Sequence, residues 1–287
     1  MKDKNNYPLV SIITATYNSV NVIEDAINSI KRQTYKNIEY IVIDGGSTDG
    51  TTDIIKKHES SIAYWKSEED HGIGDAWNKG LKKANGKLIG ILNADDIYHP
   101  ETIEKIIVES DSNFDKRVFY GTTYFFNEEG LIRRVDRLFN HKLNMGFGFL
   151  HTSLFVPKDI YDKVGVFNDK VKIAVDTEFM LRCLENDVRF IKLKHINYMR
   201  TGGVSDVNMI SAYKEYISIL LDYGFIGKKK SAFLKFTFLF KTPLILFRNS
   251  KFFNKLLSNF QNSDEKSRWK KYGQELFEIV NKSSLHD

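Results

Sequence analysis

The chain has 287 residues, 42% of them hydrophobic, and a single cysteine; this is enough apolar material for a sizeable core but rules out a disulfide framework, so a reducing cytosol is the expected compartment. Residues 1–6 are polar and hold no apolar stretch of the kind a secretion signal needs. The net charge of +5 is local, because residues 225–260 alone carry eight lysines and arginines and no acid.

Residues 9–14 (LVSIIT) and 38–43 (IEYIVI) are short runs rich in β-branched residues, and Val22, Ile23, Ala26, Ile27 and Ile30 recur between them at helical spacing. Together they form a β-α-β unit. Asn21 followed by Glu24 fits a capping box at the front of the helix. The second run stops at Asp44-Gly45-Gly46-Ser47-Thr48-Asp49-Gly50, residues that tolerate unusual backbone angles and cap helices. A weaker strand is expected over 62–66, then a short helix over 75–84 with Asn85-Gly86 as a left-handed stop. The apolar run 88–92 (LIGIL) reads as a buried strand ending at Asn93-Ala94-Asp95-Asp96. Strands alternating with helices imply an α/β fold: a mostly parallel central sheet with right-handed crossovers and helices on both faces, binding ligands at the carboxyl ends of its strands. Thr14 to Asn18, Asp44 and Asp95 all fall at those ends.

Two acids at the tip of an uncharged strand suit a hard cation such as Mg²⁺ or Mn²⁺, usually shared with a substrate phosphate, which points to chemistry on a nucleotide diphosphate. The alternative is that one of them caps the helix opening at Pro100-Glu101. No G-x-G-x-x-G follows the first strand and no G-x-x-x-x-G-K-[ST] occurs anywhere, which argues against a dinucleotide dehydrogenase and a P-loop ATPase. His71-Gly72-Ile73-Gly74 reads as a loop of little specific meaning.

Residues 10–18 (VSIITATYN), residues 41–51 (IVIDGGSTDGT), Gly74-Asp75-Ala76 with Asn78, Gly80, Ala84 and Gly86, and Asn93-Ala94-Asp95-Asp96 stand in the order and spacing of a family 2 glycosyltransferase. The chain resembles that family over residues 8–205. The resemblance implies the GT-A fold and inverting transfer of a sugar from a nucleotide-diphosphate donor, a UDP-sugar foremost, with Mn²⁺ or Mg²⁺ as cofactor. It implies a donor site made of Thr14, Ala15, Thr16, Tyr17, Asn18, Asp44, Gly45, Gly46, Ser47, Asp75, Asn78, Asn93, Ala94 and Asp95. Within it Asp44 would accept a hydrogen bond from the N–H of a uracil or thymine ring; its other reading is as cap of the turn it opens. Asp95 would hold the metal with Asp96 beside it, although neighbouring side chains on an extended backbone point apart. Asn93 replaces an aspartate that many relatives carry.

On the acceptor side, residues 117–120 and 122–126 read as two strands, and Glu128-Glu129-Gly130 as a turn before a strand over 131–135. Residues 146–153 (GFGFLHTS) resemble the segment in which relatives carry a histidine near the acceptor; His151 reads equally well as a hydrogen-bonded core residue. Residues 173–179 (IAVDTEF) with Arg182 resemble the family's catalytic-base motif, Asp176 matching the aspartate that deprotonates the acceptor hydroxyl, with Val175 where an acid often stands. Asp176 is also readable as the N-cap of the helix that follows. Arg200-Thr201-Gly202-Gly203-Val204-Ser205 resembles a loop that folds over the diphosphate, or is only a turn.

These readings give a catalytic domain over residues 1–210, with its donor half about 1–98 and its acceptor half about 99–210, and a helical C-terminal region over 211–287. In that region phenylalanines interleave with lysines too often to span a bilayer. Such a basic, Phe-rich amphipathic segment, split by Pro243, suits the headgroup layer of an anionic membrane; packing on the domain with solvated lysines is the alternative. Nucleic acid is not expected as a partner. The expected protein is a glycosyltransferase peripheral on the cytoplasmic face of the cell membrane, acting on a lipid-linked or oligosaccharide acceptor. A sugar nucleotidyltransferase would need a Gly-rich basic N-terminal loop, which is absent. An inactive sugar-binding scaffold would not need Asp44, Asp95 and Asp176.

Overall fold

The first hundred residues alternate strand and helix as their apolar periodicity dictates: β1 (Val10–Thr16), α1 (Ile23–Lys31), β2 (Ile38–Asp44), α2 (Thr51–Lys57), β3 (Tyr64–Ser67), α3 (Ile73–Leu81), β4 (Leu88–Ile91) and β5 (Ile97–Tyr98). Then come α4 (Thr102–Glu109), β6 (Arg117–Asn127), β7 (Gly130–Val135), β8 (Phe155–Pro157), α5 (Lys158–Val164), α6 (Val175–Glu185), β9 (Arg189–Arg200) and α7 (Met209–Asp222). Residues 228–236 form a further helix, α8. The computed structural model describes residues 7–127, 130–135, 150–203, 208–236 and 276.

The strands form one sheet in the order β3-β2-β1-β4-β8-β6-β9-β5, with β7 against β6. β1 lies between β2 and β4 and pairs with both in parallel, and β2 pairs with β3 in the same sense. Beyond β4 the direction changes: β8 is antiparallel to β4 and β6, β5 to β9 and β7 to β6, while β6 and β9 remain parallel. The parallel sheet expected from the sequence is thus confined to β1–β4, and the remainder is mixed.

Alternation along β1 sends Val10 and Ile12 to one face and Ile13 and Ala15 to the other. Ile23, Ala26 and Ile27 of α1, Ile55 of α2 and Ile103 and Ile106 of α4 cover the first face. Ala76, Trp77 and Leu81 of α3, Tyr161 of α5 and Val175, Phe179 and Met180 of α6 cover the second. Cys183 lies fully buried in that second core, where burial pushes its thiol up to about 12.

Several local expectations give way to packing. α1 starts after Val22 and has no side-chain cap; Glu24 turns instead to His58 Nε2 at 2.8 Å and Lys57 Nζ at 3.3 Å. α3 opens at Ile73, so Ile73 and Gly74 are helix rather than loop, and it closes at Leu81 with Lys82 in the ordinary right-handed region. Gly86 is therefore no left-handed stop. Its N–H bonds Ser11 Oγ at 2.8 Å, and a Cβ there would lie 2.4 Å from Ser11 N, so the residue is glycine because two backbones meet. The two strands expected over 117–126 are one, β6, whose register on β9 shifts between Tyr120 and Thr122. Gly121 sits at that shift, and a Cβ on it would come within 2.5 Å of the His195 ring.

α7 begins beside the boundary expected at 210, and its Tyr216, Ile217 and Leu220 share a core with Ala174 and Leu181 of the α6 segment and with Leu234 of α8. Leu276 packs with Ile97, Tyr124, Phe126, Ile196 and Tyr198. Among the described residues no helix is long and apolar enough to cross a membrane.

Candidate active site

The carboxyl ends of β1 and β2 lie side by side, Thr16 opposite Asp44. Asp44 is fully buried, and its carboxylate accepts the N–H groups of Gly46 and Ser47 and the hydroxyls of Ser47 and Ser67. The cap reading of Asp44 is thus what the side chain does in this structure. The loop it shapes is zipped to the end of β1: Asn18 N–H donates to Ser47 Oγ at 2.7 Å and Thr48 N–H to Asn18 Oδ1 at 3.0 Å. Thr14 faces the interior, where Tyr40 O–H donates to its hydroxyl, whereas Thr16 Oγ1 is buried at the rim with no partner. Tyr17 stands 63% exposed above this edge. Gly45 has Asp70 beside it; a Cβ would meet Asp70 Oδ2 at 2.6 Å and the Tyr17 ring at 3.5 Å. Nothing in the sequence pattern singled out Asp70.

At the end of β4, Leu92 N–H still bonds Ile13 O, and the acids follow. Asp96 is 1% exposed; its Oδ1 accepts Arg200 N–H at 3.2 Å and its Oδ2 the Thr152 hydroxyl. Asp95 points the other way, with its Oδ2 3.4 Å from the position of a Cβ on Gly203. Neither caps α4, whose N-cap residue is Glu101. Burial, and then the charge of Asp96, raise the Asp95 carboxyl to about 7. A partly buried carboxylate repelled by its neighbour is a hard oxygen donor whose charge a divalent cation would compensate, so Asp95 fits such an ion. Asp96 is bonded inward and anchors β4 to β9 and to the His151 turn. Among the described residues no group of three or more His, Cys, Asp or Glu side chains forms a site by itself; a cation held by Asp95 would complete its shell from a bound diphosphate and water.

His151 opens a short 3-10 turn, His151–Ser153, under this tip. Its Nδ1 lies 3.5 Å from Asp176 Oδ2 and its Nε2 3.7 Å from Asp96 Oδ2. Burial disfavours its charge, but the bonds to Asp176 and Asp96 outweigh that and raise its pKa to about 10, so the ring is an imidazolium between the two acids. Trp77 packs against it at 5.3 Å between centroids. Asn93 Nδ2 is 2.7 Å from His151 Nε2 while Asn93 Oδ1 is buried without a partner. Turning the amide by 180° places Oδ1 as the acceptor of the His151 Nε2–H. His151 is thus a buried, bonded residue that links the β4 tip to the first turn of α6.

Asp176 does not cap α6. The N-cap residue is Ala174, and Asp176 sits in the first turn with Oδ1 accepting Thr177 N–H at 2.6 Å and Oδ2 toward His151. Asn78 and Asp75, expected in the donor site, secure α3. Asn78 exchanges two bonds with the Phe167 main chain, at 2.8 and 3.0 Å, and Asp75 accepts His71 N–H and faces Lys79. Arg200, named in the sequence only as the start of a loop, reaches Asp25 with Nη2 at 2.9 Å, lies over the Phe126 ring, and keeps a buried, unpartnered Nε. Ala15 and Ala94 are buried packing residues of the rim. Gly202 has φ +95° and leads into Gly203; Ser205 lies outside the described residues.

The sequence matches the family model "Glycosyl transferase family 2" over residues 11–168, and the chain belongs to that family. An uncharacterised glycosyltransferase of Rickettsia typhi is 33% identical over 195 residues, covering 64% of this chain and 61% of its own length. The chain thus spans about three fifths of that relative. Among solved structures, Staphylococcus aureus TarS 1–349 in complex with UDP-GlcNAc superposes with a TM-score of 0.58 at 20% identity, over 95% of this chain and 81% of that one. The mannosyltransferase PcManGT from Pyrobaculum calidifontis, in complex with GDP-Man and Mn²⁺, gives 0.61 at 16%, over 97% and 86%. These likenesses establish the GT-A fold.

Proposed function

We propose that this chain is an inverting glycosyltransferase that moves a sugar from a UDP-sugar to a hydroxyl of a lipid-linked or surface-polysaccharide acceptor. The observation that carries the reading is the approach of Asp176, on α6, to the acidic tip of β4 through His151, whose ring lies 3.5 Å from Asp176 and 3.7 Å from Asp96, the neighbour of Asp95. Asp176 takes the proton of the acceptor hydroxyl as the glycosidic bond forms, the role that a single, inverting displacement asks of a base on the acceptor side. Asp95 holds Mn²⁺ or Mg²⁺, and the cation, when bound, supplies charge neutralisation for the departing diphosphate. Thr16, Tyr17, Asn18 and the loop Gly45-Gly46-Ser47 line the base and ribose. Asp44 shapes that loop, and its Oδ1, with one bond from Ser47, retains an acceptor direction for a pyrimidine N–H.

The relatives support a nucleotide-sugar donor without choosing the base, since TarS is seen with UDP-GlcNAc and PcManGT with GDP-Man. Calorimetry with Mn²⁺ present separates them: UDP should bind and GDP should bind at least tenfold more weakly. Equal or tighter binding of GDP would remove the uracil assignment.

Membrane association is supported by α8, where Phe233 and Phe236 are 64% and 60% exposed beside the exposed Lys228, Lys229 and Lys235. A face of this kind suits the headgroup layer at the inner side of the cell membrane. The full chain should float with vesicles containing anionic lipid, less so as salt rises, and a Phe233→Ser, Phe236→Ser double variant should float less. Flotation unchanged by both salt and substitution, or absent altogether, would favour a purely packed helix. Truncation is a poorer test, because removing α7 strips the core it shares with α6.

A further inference from the structure

α6 carries Asp176 but begins without a cap of its own, since its N-cap residue Ala174 has no side chain that can bond the first turn. The amides leading into it are held from α7, beyond the stretch of chain that resembles the family. Glu215 Oε2 accepts the N–H groups of Ile173 at 2.7 Å and Ala174 at 2.8 Å, and Oε1 accepts that of Lys172 at 2.8 Å. A carboxylate receiving three backbone donors makes charge-assisted bonds, and at this position it also complements the positive end of the α6 dipole.

The clasp rests on a fixed base. α7 is seated on the α6 segment through Tyr216, Ile217 and Leu220. Its C-cap residue Tyr223 donates its hydroxyl to Glu178, which also pairs with Arg182 through bonds of 2.8 Å; Arg182 in turn reaches Val164 O and Val166 O. On its other side the start of α6 abuts α3, where a Cβ on Gly74 would lie 3.3 Å from Val175. Lys172 Nζ ties the same segment to His71 O at 3.2 Å. The first turn of α6 is therefore set from both flanks, and Asp176 is the second residue of that turn.

We propose that Glu215 is a positioning residue of the transfer reaction: by clasping residues 172–174 it fixes the first turn of α6 and so the place of the Asp176 carboxylate opposite His151. The inference rests on the reading of Asp176 as the base. Its physical basis is the tolerance of proton transfer to geometry, where a misplacement of about 1 Å costs on the order of a hundredfold. It makes α7 part of the catalytic apparatus, although the sequence placed that helix in an appendage.

The test is steady-state kinetics of the full chain and its Glu215→Ala and Glu215→Gln variants, reading UDP release from the UDP-sugar that the wild type turns over fastest, with melting curves alongside. Glu215→Ala should lower kcat by about 10- to 100-fold with donor KM and UDP affinity held within about twofold. Glu215→Gln should fall between, because its one amide oxygen keeps the two bonds that Oε2 makes to Ile173 and Ala174. Wild-type kcat in Glu215→Ala, or a loss carried by KM instead of kcat, overturns the proposal. Should Glu215→Ala fail to fold, Glu215→Gln decides, and kcat equal to wild type then overturns it. Asp176→Asn run in parallel separates the two levels. An active Asp176→Asn removes the base reading itself, whereas an inactive one beside an unaffected Glu215→Ala removes only the positioning role.

Discussion

Asp176→Asn should leave UDP binding intact and lower sugar transfer by about two to four orders of magnitude, the usual worth of a positioned general base. The amide keeps the shape of the carboxylate, and its oxygen can still accept Thr177 N–H, the 2.6 Å bond inside the first turn of α6. What it cannot do is take a proton. A loss of helix stability is not expected as the cause, because the N-cap position belongs to Ala174 and the turn is held by Glu215. The amide does present a donor to the His151 imidazolium, so a modest fall in melting temperature should accompany the loss of transfer. Near-normal transfer by the folded variant would return Asp176 to a structural role.

Asp95→Asn should act in opposite directions on activity and on the metal-free fold. The Asp95 carboxyl is raised to about 7 by burial and by Asp96, so between its ordinary value and that point the folded chain binds more protons than the unfolded one. Metal-free stability therefore falls as pH rises through that window. The neutral amide removes this loss, and at pH 8 without metal the variant should melt at or above the wild type. Transfer should drop by about three orders of magnitude if charge neutralisation of the diphosphate is worth several kcal/mol. In the wild type EDTA should abolish transfer and Mn²⁺ or Mg²⁺ restore it. Full activity after rigorous chelation, or a variant that the ions still activate, would mean that another group stabilises the leaving diphosphate.

The first hundred residues were legible because their signals are local. The β-branched runs of β1, β2 and β4 and the helical spacing of Ile23, Ala26, Ile27 and Ile30 fix the elements, and parallel pairing places Thr16, Asp44 and Asp95 on one rim. The Asp95-Asp96 tip and Asp176 stand out by motif, and the structure brings Asp96 and Asp176 to the two sides of His151. What escaped depends on partners distant in sequence. Asp44 caps its turn through Gly46 and Ser47 inside the motif, but the bond it takes from Ser67 and the hold of Glu215 on the residues before Asp176 come from outside it. Gly86 looks like a helix stop until Ser11 is seen against it. β6 reads as two strands because Gly121, which the His195 ring requires, interrupts an otherwise continuous pattern. Asp96 and Asp95 look equivalent in sequence and are separated only by Thr152 and Arg200, which draw Asp96 inward.

The most direct measurement is nucleoside diphosphate release from a panel of UDP-, dTDP- and GDP-sugars by the full chain with Mn²⁺. Release from at least one UDP- or dTDP-sugar is the predicted result, abolished by EDTA and lost in Asp176→Asn, with GDP-sugars left essentially untouched. A folded chain that releases nothing from any of them, or that turns over GDP-sugars in preference, would contradict the assignment of a uracil-reading, metal-assisted sugar transferase.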